Sequence, residues 1–128
     1  MKYLLDTNIV INHLRGKRII DKTIIEKGAA ISIISYGELL YGAFKSQYKE
    51  ENLNQIHTLI NKSPIQIINI DKEIIRIFAQ LKSSLEFKGQ KLDNFDLLIG
   101  ATAKINSLTL QTENIKHFQR IPGLKLAP

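Results

Sequence analysis

The sequence predicts an α/β fold of three layers, with a mostly parallel central sheet of about five strands flanked by helices. Three observations carry this. Apolar runs of strand length alternate with stretches whose apolar residues recur at helical spacing. Cap and turn residues mark almost every junction between them. Strand and helix change places repeatedly along the chain, the pattern that right-handed crossovers between parallel strands produce. With 128 residues and 44% hydrophobic content, residues 1–128 read as a single domain with one core.

The elements follow in order. "YLL" is a short buried strand ended by Asp6, and "IVINHLRG" is a helix stopped at Gly16. "RIIDKTIIEKG" gives a second helix ended by Gly28, after which "AAISII", residues 29–34, is a second buried strand. "SYGELLYGAF" opens a helix at Ser35, with Tyr36, Tyr41 and Phe44 read as a packed face rather than a base-stacking platform. The next helix, about Lys49 to Asn61, places Leu53, Ile56, Leu59 and Ile60 on one side, and Pro64 ends it before the strand "IQIINI". Asp71 caps a helix carrying Ile74, Ile75, Phe78, Leu81 and Leu85 as far as Gly89. "KLDNFDLLIGATAKI" makes another helix, with Phe95 assigned to the core, and "SLTLQT" a fourth strand. "LKL", residues 124–126, closes the sheet.

The bulk chemistry excludes several classes. No cysteine is present, so thiolate catalysis, disulfides and thiolate zinc sites are ruled out, and any metal must be held by oxygen or imidazole. A formal charge of +6 favours an anionic partner, although 14 of the 18 basic residues are lysines, which also serve to solubilise a surface. No signal peptide and no membrane-length apolar run is evident, so a cytoplasmic protein with no membrane partner is expected. His13, His57 and His117 show no metal-ligand spacing, and neither a nucleophile elbow nor a phosphate-binding glycine loop occurs.

The acids are not scattered. Asp6 follows the first strand, Glu38 lies just beyond the second, and Glu113 and Asn114 follow the fourth. In a parallel sheet those carboxyl ends share one rim, where ligands bind. Asp93 and Asp96 open the helix before the fourth strand. Capping offers a competing account: Ser35 and Glu38 have capping-box spacing, and Asp93 with Asp96 a looser version of it. Converging carboxylates would repel one another, and a divalent cation with oxygen ligands would relieve that.

Taken together, "LLDTNIVI", "ISYGELLYG", "DNFDLLIGATA" and "LTLQTENIKHFQRIPGLKL" resemble, in order and spacing, the motifs of a PIN-domain ribonuclease, specifically a VapC-type toxin of a bacterial type II toxin–antitoxin pair. The resemblance covers nearly the whole chain. It implies a PIN-like, Rossmann-like domain and places the family's metal-binding, catalytic acids on Asp6, Glu38 and Asp96, with Asp93 as an additional acid. Asn114 stands where the most acidic members carry an aspartate, leaving a second metal position weaker. The resemblance further implies an RNA substrate, a VapB-like antitoxin that inhibits the enzyme, and a homodimer.

Such an enzyme would use Mg²⁺, or Mn²⁺, to polarise the phosphodiester and activate water. Asp6 and Asp96 would be direct ligands and Glu38 would act on water, with Thr7, Asn8, Glu113 and Asn114 as accessory groups. Arg15, Lys17, Arg18, Lys45, Lys91, Lys116 and Arg120 could draw in the RNA backbone, though each taken singly is an ordinary solvated charge. Two other classes compete: a non-catalytic RNA- or protein-binding module, and an aspartyl phosphotransfer or phosphatase domain built on Asp6. The second lacks its usual acid, because Asn8 occupies that position.

Overall fold

A computed structural model describes all residues 1–128. In chain order the elements are β1 (Tyr3–Leu5), α1 (Thr7–Leu14), α2 (Lys22–Lys27), β2 (Ala29–Ser32), α3 (Ile33–Phe44), α4 (Lys49–Lys62), β3 (Gln66–Ile68), α5 (Lys72–Phe87), α6 (Asn94–Ile105), β4 (Thr109–Gln111) and α7 (Ile115–Phe118). The four strands are all parallel and lie in the order β3-β2-β1-β4. The segment read as a fifth strand joins the sheet at one residue, a parallel bridge between Leu126 and Leu110. No helix is long and apolar enough to cross a membrane.

Alternation along the strands builds the three layers. Leu4 and Ala30 pack with Ile74, Leu81, Leu85, Leu97 and Phe118, mostly from α5, α6 and α7, on one face of the sheet. Their neighbours Leu5 and Ile31 pack with Val10, Leu39, Ala43 and Ile56 from α1, α3 and α4 on the other. Buried on both faces, the strands read as continuous apolar runs.

Caps fix most helix starts. Asp71 accepts from Ile74 N–H at 2.9 Å and Asp93 from Phe95 N–H at 3.1 Å. The second helix ends at Gly28, whose φ of 96° is costly for any residue with a Cβ. α3 begins earlier than the sequence suggests. Ser32, not Ser35, is its N-cap, accepting from Ser35 N–H at 3.1 Å, so Ile33 and Ile34 form its first turn rather than the end of a strand.

The sheet order determines where a site can form. From β1 the chain winds outward through β2 to β3, then crosses back to place β4 on β1's other side. The carboxyl ends of β1 and β4 therefore flank the point where the winding reverses, the position at which open parallel sheets leave a crevice.

Candidate active site

Asp6 sits at that crevice, 4% exposed, with its backbone N–H donating to Gln111 C=O of β4 at 2.9 Å. One carboxylate oxygen, Oδ1, accepts from Thr7 N–H at 2.9 Å, which makes Asp6 the N-cap of α1 as well. The other, Oδ2, accepts from the Thr112 hydroxyl at 2.7 Å. Burial pushes the Asp6 pKa up; the Thr112 and Thr7 hydrogen bonds oppose this, and the Glu113 charge adds to it.

Thr7 carries the network onward. Its Oγ1 is hydrogen-bonded to Glu38 Oε1 at 2.6 Å and to Ser35 Oγ at 3.0 Å. This overturns the reading of Ser35 and Glu38 as a capping box: Glu38 is held from the β1–α1 turn, and buried Ser35 faces the same hydroxyl. On the opposite side Thr112 Oγ1 also accepts from Asn114 N–H at 3.0 Å. Thr112 links the turn after β4 to Asp6, a role the sequence reading missed. The available signal was its place, a hydroxyl directly after a strand on the functional rim.

α6 begins at this rim and brings Asp96 to it. Asp96 is half-buried and accepts no protein hydrogen bond, so the looser Asp93–Asp96 capping box does not form; Asp93 alone caps the helix. Desolvation raises the Asp96 pKa to about 6, with further increments from the charges of Asp6, Asp93 and Glu38 and a smaller opposing one from His117. His117 is the second neighbour that sequence spacing did not disclose.

A groove of about 770 Å³ joins these groups, lined by Asp6, Thr7, Asn8, Glu38, Asp96 and Asn114. Glu113, adjacent in sequence to Asn114, lines a different cleft, where its Oε1 accepts from Asn12 Nδ2 at 2.6 Å. Of the basic candidates, Arg15 and Lys45 border the acid groove and Arg18 the Glu113 cleft. Lys17, Lys91, Lys116 and Arg120 are exposed and line neither; Arg120 donates to Lys91 C=O at 2.8 Å. The aromatic assignments need correction. Tyr36 packs against the core, but Tyr41 is 65% exposed, Phe44 60% and Phe95 48%, and Tyr41 and Phe95 both border the groove.

The donor set suits a hard divalent cation. It consists of carboxylate and amide oxygens, and the chain's one ion pair, Lys82–Glu86, lies elsewhere, so no basic side chain neutralises the acids by direct contact. No three acidic or histidine side chains close around a common point. An open arrangement of this kind fits an ion that keeps part of its water shell, as Mg²⁺ does.

Comparison with known proteins agrees with this geometry. The family model described as the PIN domain matches residues 3–124. The chain is 37% identical over 131 residues to "Ribonuclease VapC2" of Rickettsia felis, covering 98% of this chain and 96% of the relative. It is 30% identical over 128 residues to "tRNA(fMet)-specific endonuclease VapC" of Shigella flexneri, covering 98% and 96%. Among solved structures it is similar to VapBC2 from Rickettsia felis bound to a DNA fragment from the promoter, with a TM-score of 0.89 and 34% identity over 99% of this chain and 98% of that one.

Proposed function

From the premise that this chain belongs to the PIN-domain family and matches its VapC ribonucleases end to end, we infer that it is a divalent-metal-dependent endoribonuclease and the toxin of a toxin–antitoxin pair. The observation that carries the reading is the continuous polar network Glu38–Thr7–Asp6–Thr112–Asn114 across the β1/β4 crevice, with Asp96 facing it. Asp6 and Asp96 would hold Mg²⁺ or Mn²⁺. When bound, such an ion supplies positive charge to the phosphodiester and lowers the pKa of water.

The protein's own groups do the rest. Thr112 and the Thr7 N–H each engage one Asp6 oxygen, fixing the carboxylate plane before substrate arrives. Thr7 anchors one oxygen of Glu38, leaving the other to accept a proton from attacking water. In the hydrolysis, one P–O bond forms to the water oxygen and one breaks to the departing ribose oxygen. Asn114 offers an amide to phosphate or water without adding charge. Arg15 and Lys45 supply the cationic margin of an otherwise acidic groove.

The inhibiting partner follows from the same surface. The similar solved structure is a VapBC assembly, and the aromatic side chains of Tyr41 and Phe44 stand exposed on α3, Tyr41 at the border of the groove. An antitoxin segment with an apolar face and a basic residue would cover them and offset the acids. A homodimer is the assembly expected of this kind of toxin.

Purified protein should cut RNA with Mg²⁺ or Mn²⁺ and stop with EDTA. Asp6→Asn should lower the rate by about 100-fold or more, the scale of losing one pre-organised electrostatic group, while still co-purifying with the neighbouring antitoxin, which shows that it folds. Undiminished cleavage by Asp6→Asn would falsify the site; cleavage unaffected by EDTA would remove the metal.

A further inference from the structure

Two features of α3 are unexplained by packing. Tyr41 leaves 65% of its surface exposed one helical turn beyond Glu38, and Lys45, one turn further, holds its Nζ 4.9 Å from the ring centroid. Gly37 and Gly42 sit inside the helix, where glycine is unfavourable by about 1 kcal/mol relative to alanine. Neither glycine is needed for close packing, because a Cβ at either would meet no heavy atom within 4 Å. Both are exposed, and both line the groove that holds Asp6, Glu38 and Asp96. Arg15, at the end of α1, borders the same stretch.

Building on the nuclease reading above, we propose that Tyr41, Lys45 and Arg15, with the bare backbone at Gly37 and Gly42, form a subsite for one unpaired nucleotide flanking the scissile phosphodiester. The base stacks on the Tyr41 ring, the sugar–phosphate runs along the glycine side of α3, and the two cations take the phosphate. Three observations favour RNA here. The subsite is continuous with the acid groove through Glu38, so a strand in one occupies the other. Its charge is opposite to that of the acids and complementary to phosphate, on a chain of net charge +6. An exposed aromatic ring beside cations is one way proteins hold single-stranded bases, whereas a base inside an A-form duplex is already stacked on its neighbours.

The test uses the full chain and three probes of one sequence: an unstructured fluorescent oligoribonucleotide, the same sequence as a hairpin loop, and a fully paired duplex. Binding is read by anisotropy in EDTA, and cleavage by KM and kcat with Mg²⁺. Wild type should bind and cut the first two and discriminate against the duplex. Tyr41→Ala should weaken binding and raise KM about 5- to 150-fold, the range that loss of one stacked base gives, with kcat changed much less. Tyr41→Phe, which keeps the ring, should restore most of this. Gly42→Ala should melt about 2–6 °C higher yet bind RNA less well, a combination that helix propensity alone cannot produce. Unchanged RNA affinity in Tyr41→Ala overturns the subsite, as does a Tyr41→Ala variant that loses only its response to antitoxin, which would make the ring a protein-docking group. A wild-type protein that binds the unpaired probes but never cuts them refutes the nuclease reading, and the anisotropy data still decide the subsite.

Discussion

Replacing Asp96 by asparagine should stabilise the metal-free protein at neutral and alkaline pH. The carboxylate is half-buried, accepts no hydrogen bond and faces Asp6, Asp93 and Glu38, so its pKa rises from 3.8 to about 6. Between those values the folded chain retains a proton that the unfolded chain has lost. Its contribution is therefore fully present below about pH 4, declines as pH rises, and is gone above about pH 6. For a fully buried carboxylate a rise from 3.8 to about 6 would correspond to about 3 kcal/mol. Because the side chain is half in solvent, screening reduces this to about 1 kcal/mol. Asp96→Asn cannot ionise, so in EDTA at pH 8 it should be about 1 kcal/mol more stable than wild type, a rise of about 3–6 °C in Tm. The difference should shrink towards zero at pH 4. Adding Mg²⁺ should raise the wild-type Tm by mass action and leave the variant nearly unmoved, while RNA cleavage by the variant collapses. Thermal melts from pH 4 to 8, with and without Mg²⁺, test each part. A variant that melts lower than wild type in EDTA at pH 8, or a difference that does not vary with pH, would refute the account of Asp96 as an uncompensated carboxylate.

Asp93 should behave as a cap, not a ligand. Asp93→Ala removes the acceptor for Phe95 N–H and should cost about 0.5–2 kcal/mol, whereas Asp93→Asn should retain most of the stability and most of the cleavage rate; a loss of activity in Asp93→Asn equal to that in Asp96→Asn would contradict this. Thr112→Val keeps the side-chain shape but deletes the donor to Asp6 Oδ2 and the acceptor for Asn114 N–H, both at a buried position. It should cost about 1–3 kcal/mol in a denaturant titration and lower cleavage, while Thr112→Ser retains both functions; equal activity in Thr112→Val and wild type would show that Asp6 needs no orienting hydroxyl.

The part of this molecule that can be read from sequence is the part set by local chemistry. Asp71, Asp93 and Gly28 declare helix ends because a cap's partner lies within three residues. The acids on the rim were legible for a related reason, since each stands directly after a strand or at a helix start. Their partners were not. Thr112 bonds to Asp6 across 106 residues of chain, and nothing in either neighbourhood shows that β4 lies beside β1. Ser35 looks like the cap in sequence because the apolar pair Ile33–Ile34 extends the strand pattern; the helix start at Ser32 turns Ser35 inward to Thr7 and frees Glu38 from capping. Apolarity alone places Tyr41 on a packed face, yet Leu39 and Ala43 mark the buried stripe of α3, and a residue two positions from each points about 200° away. Glu113 and Asn114 part for a similar geometric reason: one reaches Asn12 and the other the groove, although composition treats them as a pair. The same distinction separates the aspartates. Asp6 has both oxygens engaged by protein donors and Asp93 caps a helix, but Asp96, among three other acids, is left without a donor. In the function proposed above a bound cation supplies the rest of the counter-charge Asp96 needs, and this requirement, more than the count of acids, is the reason to place a site in the crevice.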